Sequence, residues 1–219
     1  MFRRFGAFIV DLCLVVVLTV IIALPLRSIS GYAATSDRMN AIFDRIAAEH
    51  GVDINITNQQ YNALPEEEKL AIDAALVDIS EDTEAAELYA KTVRLLFIVI
   101  FSSLLVSVVL LELVLPLIFK NGQTIGKKLM RFEVQRRDGE PLNLVTMLLR
   151  SITGKFFIDY GLPVFFFLSF IYANAGRTPL IGLLMLTLAQ IVCIAVTSDR
   201  RALHDIIAST VVVPIALQY

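Results

Sequence analysis

Four apolar runs, Phe5 to Leu26, Leu95 to Phe119, Phe156 to Tyr172 and Leu180 to Val196, constrain this chain more than any other feature. Each is near the roughly 17 to 25 residues that a helix rising about 1.5 Å per residue needs to cross a hydrocarbon core about 30 Å thick. The runs read as four transmembrane helices. A β-barrel would instead show segments of about ten residues alternating apolar and polar. Composition agrees, with 57% hydrophobic residues, a mean hydropathy of +0.72 and only 18% charged residues, against roughly 25% in soluble domains. An ordinary cytosolic enzyme is excluded.

The net charge of -2 conceals an asymmetry. Residues 28 to 90 hold thirteen acidic side chains and three basic ones, Arg38, Arg45 and Lys69. Between the second and third runs stand Lys120, Lys127, Lys128, Arg131, Arg136, Arg137, Arg150 and Lys155, and the two ends add Arg3, Arg4, Arg200 and Arg201. Basic loops stay cytoplasmic, so both termini and the central loop are expected inside, with the acidic segment and the short 173–179 turn outside. An even number of spans is consistent with both termini inside. The first run is read as a retained span: its apolar stretch exceeds the roughly 7 to 15 residues of a signal h-region, and Asp11 interrupts it. Cys13 and Cys193 fall inside spans as small apolar residues and imply no disulfide.

The outer segment reads as a helical insert. Ser36 can cap a helix to Ala48 that Gly51 ends, Pro65 before three glutamates starts a second, and Ser80 caps a third that runs into the second span. Ile42, Ile46, Leu70, Leu76 and Ile79 supply apolar stripes for packing the insert on itself or on a partner. The expected fold is an all-α membrane protein with four transmembrane helices, a helical outer insert and a small cytoplasmic hairpin. Its parts are a first span at 1–27, the acidic insert at 28–91, the second span at 92–119, a basic loop at 120–154, the third and fourth spans at 155–198, and an interfacial tail at 199–219.

The loop opens with Gly122-Gln123-Thr124-Ile125-Gly126-Lys127-Lys128-Leu129. It is no phosphate loop, because three residues separate its glycines and Lys128 follows Lys127 where a Ser or Thr would hold magnesium. Met130 to Gln135 alternates as a short strand, Asp138-Gly139 favours a turn, and Thr210 to Val213 in the tail offers a strand partner. Three stretches together resemble the RDD family of small bacterial membrane proteins, named for one arginine and two aspartates: Arg4 to Asp11, Gly122 to Val134 with Asp138-Gly139, and Arg200 to Val213. In that family the outer loop is short, and this insert is larger. Asp205 and Asp159 are both candidates for the second named aspartate. The resemblance implies a membrane protein, with cation or proton transport suggested for some members, and marks Gly122, Thr124, Gly126, Lys127, His204 and Asp205 as motif residues.

Three acids inside spans carry the chemical argument. A charge at mid-helix costs at least about 2.5 to 3.5 kcal/mol, so it faces the bundle interior and finds a partner. Asp11 and Glu112 lie about 9 and 10 Å from the inner ends of their runs and Asp159 about 5 Å. Arg4, seven residues before Asp11, returns to nearly the same helix face. Arg4, Asp11, Glu112 and Asp159 are therefore a candidate polar patch, either an ion or proton site or a structural lock in which Arg4, Lys155 or Arg150 pairs the acids. Pro116 and Pro163 follow Glu112 and Asp159 by four residues, and each removes the N–H that would bond the acid's own carbonyl. His204-Asp205 reads as a proton relay or as an anchor at a helix start.

No catalytic constellation, cofactor fingerprint or metal spacing is visible in the sequence, so neither an enzyme nor a cofactor is expected. Two functions remain: transport of a small cation or proton, in a homo-oligomer or with a membrane partner, and a scaffold that binds a partner through the acidic insert or the basic loop. Anionic lipid headgroups are expected at that loop, at about 1 kcal/mol per Lys or Arg. Nucleic acid is not expected as a partner.

Overall fold

The computed structural model describes residues 2–119, 121–172 and 176–215. Lys120, positions 173–175 of the expected outer turn, and 216–219 at the end of the expected tail lie outside the described residues. The chain divides into two compact units, one of residues 1–23 with 100–219 and one of residues 24–99.

Four helices are long and apolar enough to cross a membrane: α1 (Phe2–Ile29), then Thr83–Phe119, Leu144–Tyr172 and Thr178–Val196. This is a multi-pass, all-α membrane protein. In chain order the remaining helices are α2 (Tyr32–Glu49), α3 (Asn58–Ala63) and α4 (Glu66–Glu81) before α5 (Thr83–Phe119), then α6 (Ile125–Leu129), α7 (Leu144–Tyr172), α8 (Thr178–Val196) and α9 (Leu203–Ile207). Strands β1 (Phe132–Arg136) and β2 (Thr210–Pro214) pair antiparallel, with Val134 opposite Val212. That pairing agrees with the alternation of residues 130–135 and the β-branched run of residues 210–213.

In the unit of residues 24–99, Gly31 turns the chain into α2 at φ +78°, a left-handed conformation that glycine adopts freely. Helix α2 thus starts four residues before the expected cap at Ser36. It packs against α4 through Ile46, Ala47, Ile72 and Ala75, all buried. The stripe expected from Leu70 and Leu76 is turned outward, at 68% and 48% exposure; small Ala75 lets the helices approach closely, and the leucines fall beside that face. Helix α3 was not foreseen, although Thr57 and Gln60 form a reciprocal capping box at its start. Asp82, rather than Ser80, caps α5, accepting from Ala85 N–H at 2.8 Å.

In the other unit, Val15, Leu104, Val108, Phe156 and Tyr160 make the apolar core. Two stretches there are wound as π-helix, Val109–Val114 in α5 and Leu149–Gly161 in α7. Such winding concentrates at functional sites in proteins generally. Helix α7 is continuous from Leu144, where the sequence suggested an interfacial helix and then a span from 155. Arg150 and Lys155 broke the apolar run to the eye, but both are buried against acids.

Candidate functional site

Asp11 is buried on α1 and its carboxylate is gripped by the start of α6. Thr124 Oγ1 donates to Oδ2 at 2.5 Å and Gly126 N–H donates to Oδ1 at 2.7 Å. The approach is so close that a Cβ on Gly126 would stand 2.2 Å from the Ala7 carbonyl oxygen and 2.9 Å from the Asp11 carboxyl carbon. Thr124 also accepts from Lys127 N–H and Nζ, at 3.4 and 3.3 Å. Lys127 is 8% exposed, and burial, with Lys155 and Arg150 nearby, pushes its ammonium down to about 7 against the support of Glu112 and Asp11.

Glu112, in the π-wound part of α5, forms an ion pair with Lys155 of α7 through Oε1, which also accepts from the Tyr160 hydroxyl at 3.4 Å. Its Oε2 takes no hydrogen bond from the described residues. The Glu112 carbonyl, expected to be free because Pro116 has no N–H, accepts from Ser151 Oγ at 2.5 Å. The proline thus opens a position that a neighbouring helix fills.

The third cluster joins α7, α8 and α9. Asp159 Oδ2 lies 2.6 Å from His204 Nδ1, and Asp159 Oδ1 accepts from Gln190 Nε2 at 2.7 Å. The other ring nitrogen of His204, Nε2, lies 3.5 Å from Asp205 Oδ2. Asp205 Oδ1 accepts from Arg150 Nε at 3.0 Å and from Thr210 Oγ1 at 3.1 Å, with Arg150 Nη2 at 2.9 Å. Burial raises the Asp205 carboxyl, but Arg150 first, then His204 and Lys127, outweigh it and hold the group well below the usual carboxylate range. Gly154 lets α9 sit against α7, for a Cβ there would lie 2.5 Å from His204 Cβ.

With this geometry in view, comparison with known proteins is informative. The sequence pattern of the RDD family matches residues 1–209. The chain belongs to the RDD family. A relative, the uncharacterized protein YckC of Bacillus subtilis (strain 168), is 34% identical over 107 residues, 48% of this chain and 56% of that protein. The chain therefore spans about half the length of the curated relative it matches. No solved structure matches it. Neither the family description nor the relative's name carries a catalytic activity.

The RDD motifs converge in space. Asp11 meets Thr124 and Gly126, while Lys127, His204 and Asp205 complete the same buried network. Gly122, at φ +61°, turns the chain into it and abuts Val134. Asp159 and Asp205, the two candidates for the family's second aspartate, flank one imidazole. Arg4 is the exception to the expected patch. It donates to the Val212 carbonyl and, at 3.4 Å, to that of Asp199, and lies 5.8 Å from the Phe132 ring centroid. A two-stranded ribbon leaves edge carbonyls that a nearby guanidinium satisfies, and Asp11 has its own donors in α6. Nor do Asp11, Glu112 and Asp159 share partners: each finds its own.

Gln190, Thr210, Ser151 and Tyr160 were not singled out in the sequence. Gln190 had a readable signal, since a lone amide within an otherwise apolar span needs a partner. Ser151 had none, because a serine within a helix commonly bonds its own backbone.

Proposed function

We propose that this RDD protein couples movement of a small monovalent cation to protons, and that the buried network handles the proton. One observation carries this reading: the imidazole of His204 is held between the carboxylates of Asp159 and Asp205. Its nitrogens lie 2.6 and 3.5 Å from the two carboxylates, and a ring that carries a proton charge between two acids gains an attraction that the neutral ring lacks. Charge balance extends the argument. Asp11, Glu112, Asp159 and Asp205 face Lys127, Arg150, Lys155 and His204. The set is neutral when both His204 and Lys127 are protonated. Loss of one proton leaves one negative charge among buried side chains, and a monovalent cation would restore neutrality. Competition between proton and cation for one charge deficit is the physical basis of exchange.

Flux tests it. In proteoliposomes with a trapped pH-sensitive dye, an imposed sodium, potassium or lithium gradient should shift internal pH. Asp159→Asn and His204→Ala should reduce that shift at least tenfold in protein that still unfolds cooperatively. No shift with any of the three ions, in correctly inserted protein, would sink the reading.

The orientation belongs to the same proposal: both termini and the 120–154 loop face the cytoplasm of a bacterial cell and the acidic insert faces out, as the distribution of basic residues favours. Single cysteines at Glu67 and Arg137 should label with an impermeant maleimide from opposite sides of the membrane. Labelling of both from one side overturns the topology.

A further inference from the structure

Among the buried cationic groups of the described residues Lys127 is unlike the others. Arg150 has Asp205, Lys155 has Glu112 and His204 has Asp159 within ion-pair distance. The Lys127 side chain has one hydrogen bond, to the Thr124 hydroxyl at 3.3 Å, and among the described residues no carboxylate comes within 4.0 Å of its amine. That hydroxyl in turn donates to Asp11. The charged groups acting on Lys127 come from α1, α5, α7 and α9: Asp11, Glu112, Arg150 and Lys155, and Asp205; β1, which also packs against α6, contributes none of them. Two of the five are cations.

We infer that Lys127 is the network's proton-releasing group, an amine buried without an acid partner whose proton sets the charge at the clasp between α6 and Asp11. A buried ammonium is retained when an adjacent carboxylate offsets its lost hydration. Here a neutral hydroxyl takes that place, two fixed cations oppose the charge, and the ammonium is driven down toward pH 7. With His204 and Lys127 both protonated the four acids are balanced. Loss of the Lys127 proton from that state leaves one uncompensated negative charge beside the first span, the state in which it would accept a cation.

This inference rests on the exchange reading for its consequence, but its test is independent of flux. In full-length protein labelled with 15N-lysine, the Nζ signal absent from Lys127→Arg should pass from ammonium to amine with a midpoint near pH 7, whereas an ordinary lysine titrates near pH 10. A lysine that folding makes easier to deprotonate destabilises the fold most when charged, so stability should rise as pH climbs from about 7 to 10. The thermal midpoint of the wild type relative to Lys127→Met should therefore climb across that window. A signal that stays ammonium to pH 9, or parallel wild-type and Lys127→Met stability profiles from pH 6 to 10, would overturn the inference. Titration near pH 7 without flux for any cation would uphold Lys127 as the releasing group and remove transport.

Discussion

Asp205→Ala is expected to be among the most damaging single substitutions in the chain. It strands Arg150, which is 2% exposed and has its ion pair with Asp205, as an unpaired buried charge, and it also takes away a carboxylate beside His204. Removing one partner of a buried pair typically costs about 3–5 kcal/mol. At about 2–4 °C per kcal/mol for a chain of this size, that is a fall of roughly 6–20 °C in the thermal midpoint of the purified protein. Arg150→Met combined with Asp205→Leu should recover most of the loss, because a matched apolar pair carries no desolvation penalty. A single variant that melts within a degree or two of wild type would show that Arg150 reaches water. The pH dependence has a definite sign. The folded carboxyl is held below its ordinary value of about 3.9. The pair therefore contributes fully above about pH 4 and is lost as pH falls through the lower folded value, so it makes no contribution to any change between pH 6 and 8.

Gly126→Ala should be comparably severe for a steric reason. A single methyl group at 2.2 Å from the Ala7 carbonyl oxygen forces α6 away from α1, and the two hydrogen bonds on Asp11 stretch with it. Overpacking of about 1–3 kcal/mol adds to about 1.5–3 kcal/mol for each weakened bond to a carboxylate. Gly31→Ala is the control. Its φ of +78° makes alanine unfavourable, but a Cβ there meets nothing within 4 Å, so about 1 kcal/mol is expected. Thermal midpoints and yields of the two proteins side by side decide the matter. If Gly126→Ala behaves like Gly31→Ala, the close contact between helices is not obligatory.

The spans were legible because lipid imposes a length and a composition that few other environments require. The strand pair was legible too, since Phe132 and Val134 alternate with Glu133 and Gln135 and the tail carries the β-branched run Thr210 to Val213. Choice of partner was not. Depth along a helix placed Asp11 and Glu112 at one level, but helix rotation and side-chain reach decide contacts, and these sent Asp11 to Thr124 and Glu112 to Lys155. The π winding of 149–161 adds a further rotation that a 3.6-residue repeat does not anticipate. In the outer insert, counting large apolar residues favoured Leu70 and Leu76 over Ala75. Close helix packing favours the small side chain. The RDD motif was recognisable as a string of residues, but the reason for its glycines lay in distances: Gly126 meets a helix whose acid is 115 residues earlier in the chain.

That separation has a temporal meaning. Synthesis proceeds at about 5–20 residues per second, so Thr124 emerges roughly 6 to 23 seconds after the Asp11 it will bind, 113 residues earlier. Through that interval the first helix must enter the bilayer with a carboxylate whose donors do not yet exist. It has the reserve to do so. Fifteen Phe, Ile, Leu and Val residues lie between Phe5 and Leu26, and at about 0.3–0.6 kcal/mol each they favour insertion by roughly 4.5–9 kcal/mol, more than the roughly 2.5–3.5 kcal/mol that the aspartate costs. The excess of branched and aromatic residues in this span is thus a requirement of chain order: it holds a premature charge in the membrane until the loop that supplies its hydrogen-bond donors has been made.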